Sequence, residues 1–156
     1  MARLNSSFWN RNKFKLSGLL LLLPVYFLYR SLHPSFPAAM AELSLGEFSI
    51  VPMPLEDGPP YQHDGEYIKD FMVTFKQGDV TQIRQAYMNI GQTALPLSQM
   101  ERGDLGILHG SRYGQHVHAL AAERFSTGDR LWLTLETWQG NTLVTSWPLP
   151  AAWLMR

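Results

Sequence analysis

An uncharged apolar run that follows a basic N-terminal stretch constrains this sequence most. Residues 16–29 contain no Lys, Arg, Asp or Glu, and the stretch before them holds four basic side chains and no acidic one. By the positive-inside rule, we expect the N-terminus to stay in the cytoplasm and the chain after Arg30 to cross the membrane. The sequence therefore predicts a single-pass inner-membrane protein. Residues 1–30 form its leader and membrane segment, and its C-terminal domain lies in the periplasm.

The apolar run itself has two interpretations. A helix of 14 residues spans about 21 Å, less than the roughly 30 Å of a hydrocarbon core, although Lys15 and Arg30 can extend towards the interfaces. The same length fits the apolar region of a cleavable signal peptide, and residues 39–41 (Ala-Met-Ala) have the small-x-small form of a cleavage site. That site lies far beyond the run, past Pro34 and Pro37. An uncleaved anchor is therefore favoured, with cleavage as the alternative.

Charge and cysteine content exclude several classes of function. Residues 1–41 hold five of the 13 basic residues and no acidic one, which leaves 8 basic against 13 acidic residues in 42–156, a net charge of −5. An acidic domain lacks the positive surface that phosphate backbones require, so we expect no nucleic-acid partner. The absence of cysteine excludes disulfides, thiolate metal sites and a lipoprotein anchor.

Short β-like runs separated by turn signals follow an extended, proline-containing spacer at 31–45. Loops are expected at 57–60 and 62–65. The predicted strands are 47–54, 67–76, 81–90, 105–109, 115–123, 130–139 and 142–148. Segment 81–90 also fits a helical stripe, but its β neighbours favour a strand. Six or seven strands in residues 46–156 predict an all-β domain, an immunoglobulin-like β-sandwich, preceded by one transmembrane or signal helix.

The last two predicted strands are joined by Gly140-Asn141, which is typical of a two-residue hairpin turn with positive φ. This turn predicts a register in which Trp138 opposes Leu143, with the leucines of 130–139 and Val144 on the core face. Three tryptophans then share the outer face: Trp132, Trp138 and Trp147. Because tryptophan is a common anchor residue at interfaces, we expect these three to form an interaction surface.

Three of the five histidines fall within ten residues, at His109, His116 and His118. If 111–114 form a hairpin loop, His109 lies across from His116, and His118 shares their face because side chains alternate along a strand. Three neighbouring imidazoles can bind one copper, iron or zinc ion through neutral nitrogens. The alternative is a solvated hairpin whose histidines bind backbone and water.

Other donors are weaker candidates. Three methionines could add soft ligands for Cu(I), although methionine more often fills cores: Met72, Met88 and Met100. His63 lies beside Asp57, Asp64 and Glu66, in a loop where acidic residues are common. The sequence contains no nucleophile elbow, phosphate-binding glycine loop or His-Glu-x-x-His motif, so we expect no enzyme.

The C-terminal third carries a resemblance. Residues 128–149 resemble the closing hairpin of small periplasmic metal-handling sandwiches, among them the copper chaperones of cytochrome oxidase assembly, and residues 85–91 are similar to an internal strand of those proteins. The resemblance implies metal handling. The chaperones use a His/Met ligand set, and here His116-x-His118 replaces their His-x-Met pair, which counts against Cu(I). The anchored layout also resembles accessory proteins of membrane-bound ferric-siderophore reductases.

Together these features predict a membrane-anchored extracytoplasmic accessory protein for copper or iron handling or assembly, with a membrane protein as its partner. The alternative is a non-catalytic interaction subunit that stabilises an inner-membrane complex and binds no metal.

The topology can be tested with reporter fusions. Alkaline phosphatase fused after residue 60 should be active, because the positive-inside rule places this point outside the cytoplasm, and a cytoplasmic reporter fused there should be silent. The reverse pattern would contradict export. The mass of the membrane-extracted protein separates the two forms of the leader, since cleavage after Ala41 removes residues 1–41.

Overall fold

The structure, a computed structural model, describes residues 8–100 and 105–154. The chain divides after Ser35 into two compact units. The first contains helices α1 (Phe8–Leu20) and α2 (Leu22–Leu32), which meet at Leu21. Pro24 accounts for this interruption, because it has no N–H to donate to the carbonyl of Leu20.

The N-terminal helical stretch is longer than the apolar run alone suggests. Residues Asn12–Leu32 form 21 helical residues that are apolar enough to cross a membrane, and none of this stretch is buried. At 1.5 Å per residue it is about 31 Å long, which matches a hydrocarbon core of about 30 Å. Arg3, one of the basic residues of the leader, lies outside the described residues.

The second unit is all-β. Its nine strands in the described residues are β1 (Leu43–Leu45), β2 (Phe48–Pro54), β3 (Tyr61–His63), β4 (Glu66–Gln77), β5 (Ile83–Gly91), β6 (His109–Ser111), β7 (Gly114–Leu120), β8 (Arg130–Thr137) and β9 (Thr142–Pro148). A 3₁₀ turn (Val80–Gln82) precedes β5, and two short helices, α3 (Leu97–Met100) and α4 (Ala151–Leu154), follow β5 and β9.

All nine strands belong to one mixed sheet. The order is β1-β2-β4-β7-β5-β8-β9, with β3 paired to β4 and β6 paired to β7. The β5–β7 pair is parallel, and the other pairs are antiparallel. Strand β1 contacts β9, and the Trp147 indole donates to the Ala41 carbonyl at 2.7 Å. The sheet is therefore nearly closed around its core. The predicted immunoglobulin-like sandwich, which needs two separate sheets, is not confirmed.

Strand β4 shows how the core is filled. Phe71 and Val73 point inward and are fully buried, while Met72 between them is only half-buried. Lys69 lies on the same inward face by alternation and is also fully buried, although it is charged. Its ammonium donates to the carbonyls of Glu56 (3.0 Å) and Gly58 (2.6 Å) and lies 4.4 Å from the Trp153 ring centroid. These contacts offset the cost of burying the charge and fix the start of β4.

The strand predictions succeeded to different degrees. Segment 81–90 is a strand, as its neighbours indicated, and 142–148 was located correctly. The loop predicted at 62–65 is instead the β3–β4 hairpin, turned by Asp64 (φ 49°) and Gly65 (φ 89°), a two-residue turn with both φ values positive. The strand predicted at 105–109 is wrong. It contributes only one bridge, between Ile107 and Tyr87, before β6 begins at His109.

The register predicted for the last hairpin is also wrong. Glu136 pairs with Thr142, and Leu135 pairs with Leu143. Thr137 accepts from the Gly140 N–H at 2.9 Å and donates to the Asn141 carbonyl at 3.0 Å. The loop therefore has three residues, with Gly140 at φ 81°, which is the other common way for glycine to close a hairpin.

This shift changes which face each side chain occupies. Trp147 pairs with Leu131 and is fully buried in the core, so its assignment to the outer face was wrong. Val144, expected in the core, is 46% exposed. Trp132 is half-buried, and its indole donates to the Gly91 carbonyl. Trp138 is 65% exposed.

Candidate metal centre

The β6–β7 hairpin carries the three clustered histidines. His109 pairs with His116, and Ser111 pairs with Gly114 around a two-residue turn, so the cross-strand pairing expected from the sequence is confirmed. Glycine is required at Gly110, because its φ is 143° and a Cβ there would lie 2.5 Å from the Gly114 carbonyl oxygen. This close approach brings the two histidine-bearing backbones together.

Strand β4 supplies the other side of the site. Its antiparallel pairing with β7 places Asp70 opposite His118 and Met72 opposite His116. The inward neighbours Phe71 and Val117 are fully buried, whereas Asp70, His116 and His118 are half-buried. Alternation along both strands therefore directs the four paired side chains to the outer face of the sheet.

The imidazole rings form a compact group. Ring centroids are 4.6 Å apart for His116 and His118, 5.2 Å for His109 and His116, and 6.1 Å for His109 and His118. His63, on the β3–β4 hairpin, stacks on His118 at 5.5 Å. Four of the chain's five histidines therefore meet on this face. We call this group, together with Asp70, the histidine cluster.

Hydrogen bonds set which ring nitrogens are free. Nδ1 of His118 lies 2.6 Å from Oδ1 of Asp70, and Nδ1 of His109 lies 3.3 Å from the Ile107 carbonyl oxygen. A carboxylate and a carbonyl only accept, so in the neutral rings each Nδ1 carries the proton. Nε2 of both histidines then keeps its lone pair. Metal-binding histidines use this same arrangement, with the second nitrogen bonded to an oxygen.

Asp70 connects the cluster to β3. Its Oδ2 accepts from the Tyr61 hydroxyl at 2.7 Å, its Oδ1 binds His118, and Nε2 of His116 lies 4.0 Å from Oδ1. Burial and the bond to Asp70 raise the pKa of Tyr61 to about 12. Tyr61 therefore stays a hydrogen-bond donor at neutral pH and holds the carboxylate in place.

The charge environment of His116 favours its neutral form. Burial lowers the pKa of His116, the neighbouring His118 and His109 lower it further, and the Asp70 charge opposes them. A lowered pKa means that the unfolded chain binds this proton more readily. His116 therefore contributes fully to stability at a pH above the ordinary histidine pKa. This contribution is lost as the pH falls through the lowered pKa of the folded protein. Down to that pH the ring stays neutral, so one of its nitrogens keeps the lone pair that a metal ion would bind.

The cluster contains residues that the sequence did not assign to it. Asp70 was missed, and His63 was grouped with loop acids instead of with the hairpin. A single carboxylate in the middle of an apolar strand was the available signal for Asp70, but its partner lies 48 residues away. The ligand atoms of Asp70, His116 and His118 lie within 4.8 Å of one another, close enough to hold a metal ion.

Of the three predicted methionine donors, Met72 pairs with His116 across β4 and β7, and the other two do not join the cluster in the described residues. Met88 is fully buried in the core, and the side chain of Met100 lies outside the described part of the chain. The predicted tryptophan surface is reduced to Trp132 and Trp138, since Trp147 is internal.

A comparison with known protein families assigns the chain to one of them. The model of a family described as "Uncharacterised conserved protein UCP029505" matches residues 8–150. The chain belongs to this family. The match includes both N-terminal helices and all nine strands, so helix and sheet are parts of one family pattern. No curated protein and no solved structure matches the chain.

The opposing effects on His116 give a prediction for the metal-free protein. Measured by NMR titration, the His116 pKa should lie below the ordinary histidine value of about 6.5. Asp70→Asn should lower it further, because the charge that raises it is removed. Asp129→Asn, which removes the same charge from the loop before β8, should leave it unchanged. A rise on Asp70→Asn would contradict the described contacts.

Proposed function

We propose that this protein is a membrane-anchored extracytoplasmic accessory protein that binds a metal ion, copper or iron, through His109, His116 and His118. The observation that carries the proposal is the convergence of these three imidazoles on one half-buried face, with ring centroids 4.6, 5.2 and 6.1 Å apart. Two imidazoles that share one tetrahedral ion have centroids about 5 Å apart. Small side-chain movements therefore suffice for one ion to reach all three rings.

The protonation pattern supports the same assignment. His109 and His118 each direct Nδ1 to an oxygen, which leaves Nε2 for the ion. Asp70 acts on His118 as the carboxylate partners of metal-bound histidines do, by fixing the tautomer and the orientation of the ring. Imidazole nitrogen suits copper, iron and zinc. The donor set therefore fits the metals that the sequence resemblance suggested.

The exposure of the site suits transfer better than storage. His109 is exposed, while His116 and His118 are half-buried. An ion held there has an open side towards solvent or a docking protein, since the core below the sheet is filled with apolar side chains. Handling and delivery of metal beside a membrane complex need this open access, and the N-terminal helix would anchor the protein in that membrane.

A second candidate function is a metal-independent interaction subunit. Half-buried Trp132 on β8, exposed Trp138 in the loop after β8 and Val144 on β9 leave apolar area at the surface. Tryptophan is enriched at the energetic centres of interfaces. In this alternative the histidine cluster would be a polar structural group, and metal would have no effect on stability.

Thermal unfolding separates the two functions. An ion that binds only the folded state at a hundredfold excess over its Kd adds about 2.7 kcal/mol to the free energy of unfolding. Cu²⁺ or Zn²⁺ should therefore raise the Tm of the wild type but not of the His116→Ala/His118→Ala variant. His33→Ala, in the N-terminal unit, is the matched control and should respond as the wild type does. An equal response of the double variant would exclude the cluster as the site.

A further inference from the structure

A row of metal-binding side chains extends across four strands of the sheet. The registers pair Met53 of β2 with Met72 of β4, Met72 with His116 of β7, and His116 with His109 of β6. The row therefore has two thioethers at one end and two imidazoles at the other. Residues directly opposed in antiparallel strands have Cβ atoms about 5 Å apart, so each member lies beside the next.

Alternation places this row on the outer face. Met53 lies between buried Pro52 and Pro54, and Met72 lies between the fully buried Phe71 and Val73. Met53, Met72 and His116 are all half-buried. In contrast, Met88 is fully buried and Met40 packs against the core. The two row methionines are therefore not needed to fill the interior.

The side chain of Met72 has open space beside it on β7. A Cβ at Gly114 would lie 3.3 Å from Cε of Met72, so the methyl end of the thioether occupies the space that a side chain at 114 would fill. Gly114 is two residues before His116 and shares its face. Rotation of the Met72 side chain about its own bonds would turn the sulfur from Gly114 towards His116, which lies directly across from Met72.

We propose that Met53, Met72 and His116 form a Cu(I) site on this face. Thioether sulfur is a soft ligand that selects Cu(I) over zinc and over the harder cations. One imidazole completes a three-ligand set of low charge, which suits a monovalent soft ion. His116 lies at the junction between this site and the three-imidazole site, so the same row offers soft donors to Cu(I) and nitrogen donors to Cu²⁺ or Zn²⁺.

The proposal rests on the metal-binding function given above and adds the identity and oxidation state of the ion. Sequence spacing counted against Cu(I), because no methionine follows His116 at the position where the chaperones have one. Strand pairing supplies the thioethers from β2 and β4 instead. Thioethers also have no proton to lose, so Cu(I) binding should persist to a lower pH than binding by three imidazoles.

The test compares Cu(I) and Zn²⁺ affinities under anaerobic conditions by competition with a chromophoric chelator. The variant Met53→Leu/Met72→Leu should bind Cu(I) roughly ten- to a hundredfold more weakly, as even loss of an outer partner costs a metal site this much. Its Zn²⁺ affinity should equal that of the wild type. The matched control Met40→Leu/Met88→Leu changes two inward methionines and should leave both affinities unchanged. Methionine-to-leucine exchanges conserve volume, so all variants should fold.

X-ray absorption spectroscopy gives a direct second measurement. Cu(I)-loaded wild type should show sulfur ligands, and these should vanish in Met53→Leu/Met72→Leu. Unchanged Cu(I) affinity in that variant, or a sulfur-free spectrum in the wild type, would overturn the Cu(I) site. Either result leaves the Zn²⁺ response of the imidazoles to be judged separately. The variant His118→Ala should lose Zn²⁺ binding and keep Cu(I) binding. This result would support Cu(I) at the methionine end of the row and Zn²⁺ at the imidazoles.

Discussion

The antiparallel pairing of β4 with β7 is the constraint on which both the sheet and the site depend. One face of this pair places Phe71, Val73, Val117 and Ala119 in the core, where they are fully buried. The opposite face presents Asp70 and Met72 against His118 and His116. A slip of one residue would exchange the two faces, so the energy that buries the apolar side chains also holds the side chains of the candidate metal site in register. The 2.6 Å contact between Asp70 and His118 then fixes one ring within this frame.

Local patterns in the sequence predicted the local half of the site. The His109–His116 pairing follows from a short loop, and its geometry involves only the eight residues 109–116. Asp70 and Met72 come from a distant strand, and nothing in a single sequence states which strand lies beside β7. The last hairpin shows that a local pattern can also fit two different structures. Glycine followed by asparagine fits a two-residue turn, but Gly140 also fits the last position of a three-residue loop, and the choice between them decides whether Trp147 is inside or outside.

The sheet encloses an apolar core, and the candidate metal ligands lie on its outer face. On that face the side chains change from thioethers on β2 and β4 to imidazoles on β7 and β6. In the proposed function, an ion bound there would reach a partner without any opening of the fold. The family pattern that matches residues 8–150 includes both the N-terminal helices and the nine strands of the described sheet.

Anomalous diffraction from crystals of the full chain loaded with Cu²⁺ tests the central claim most directly. The account predicts a copper peak on the outer face of β6 and β7, within bonding distance of His116 and of at least one other cluster imidazole, while Nδ1 of His118 stays bonded to Asp70. Metal coordination by this face would then be established together with its carboxylate support. A well-ordered histidine cluster without a copper peak, or copper bound only elsewhere on the chain, would contradict it.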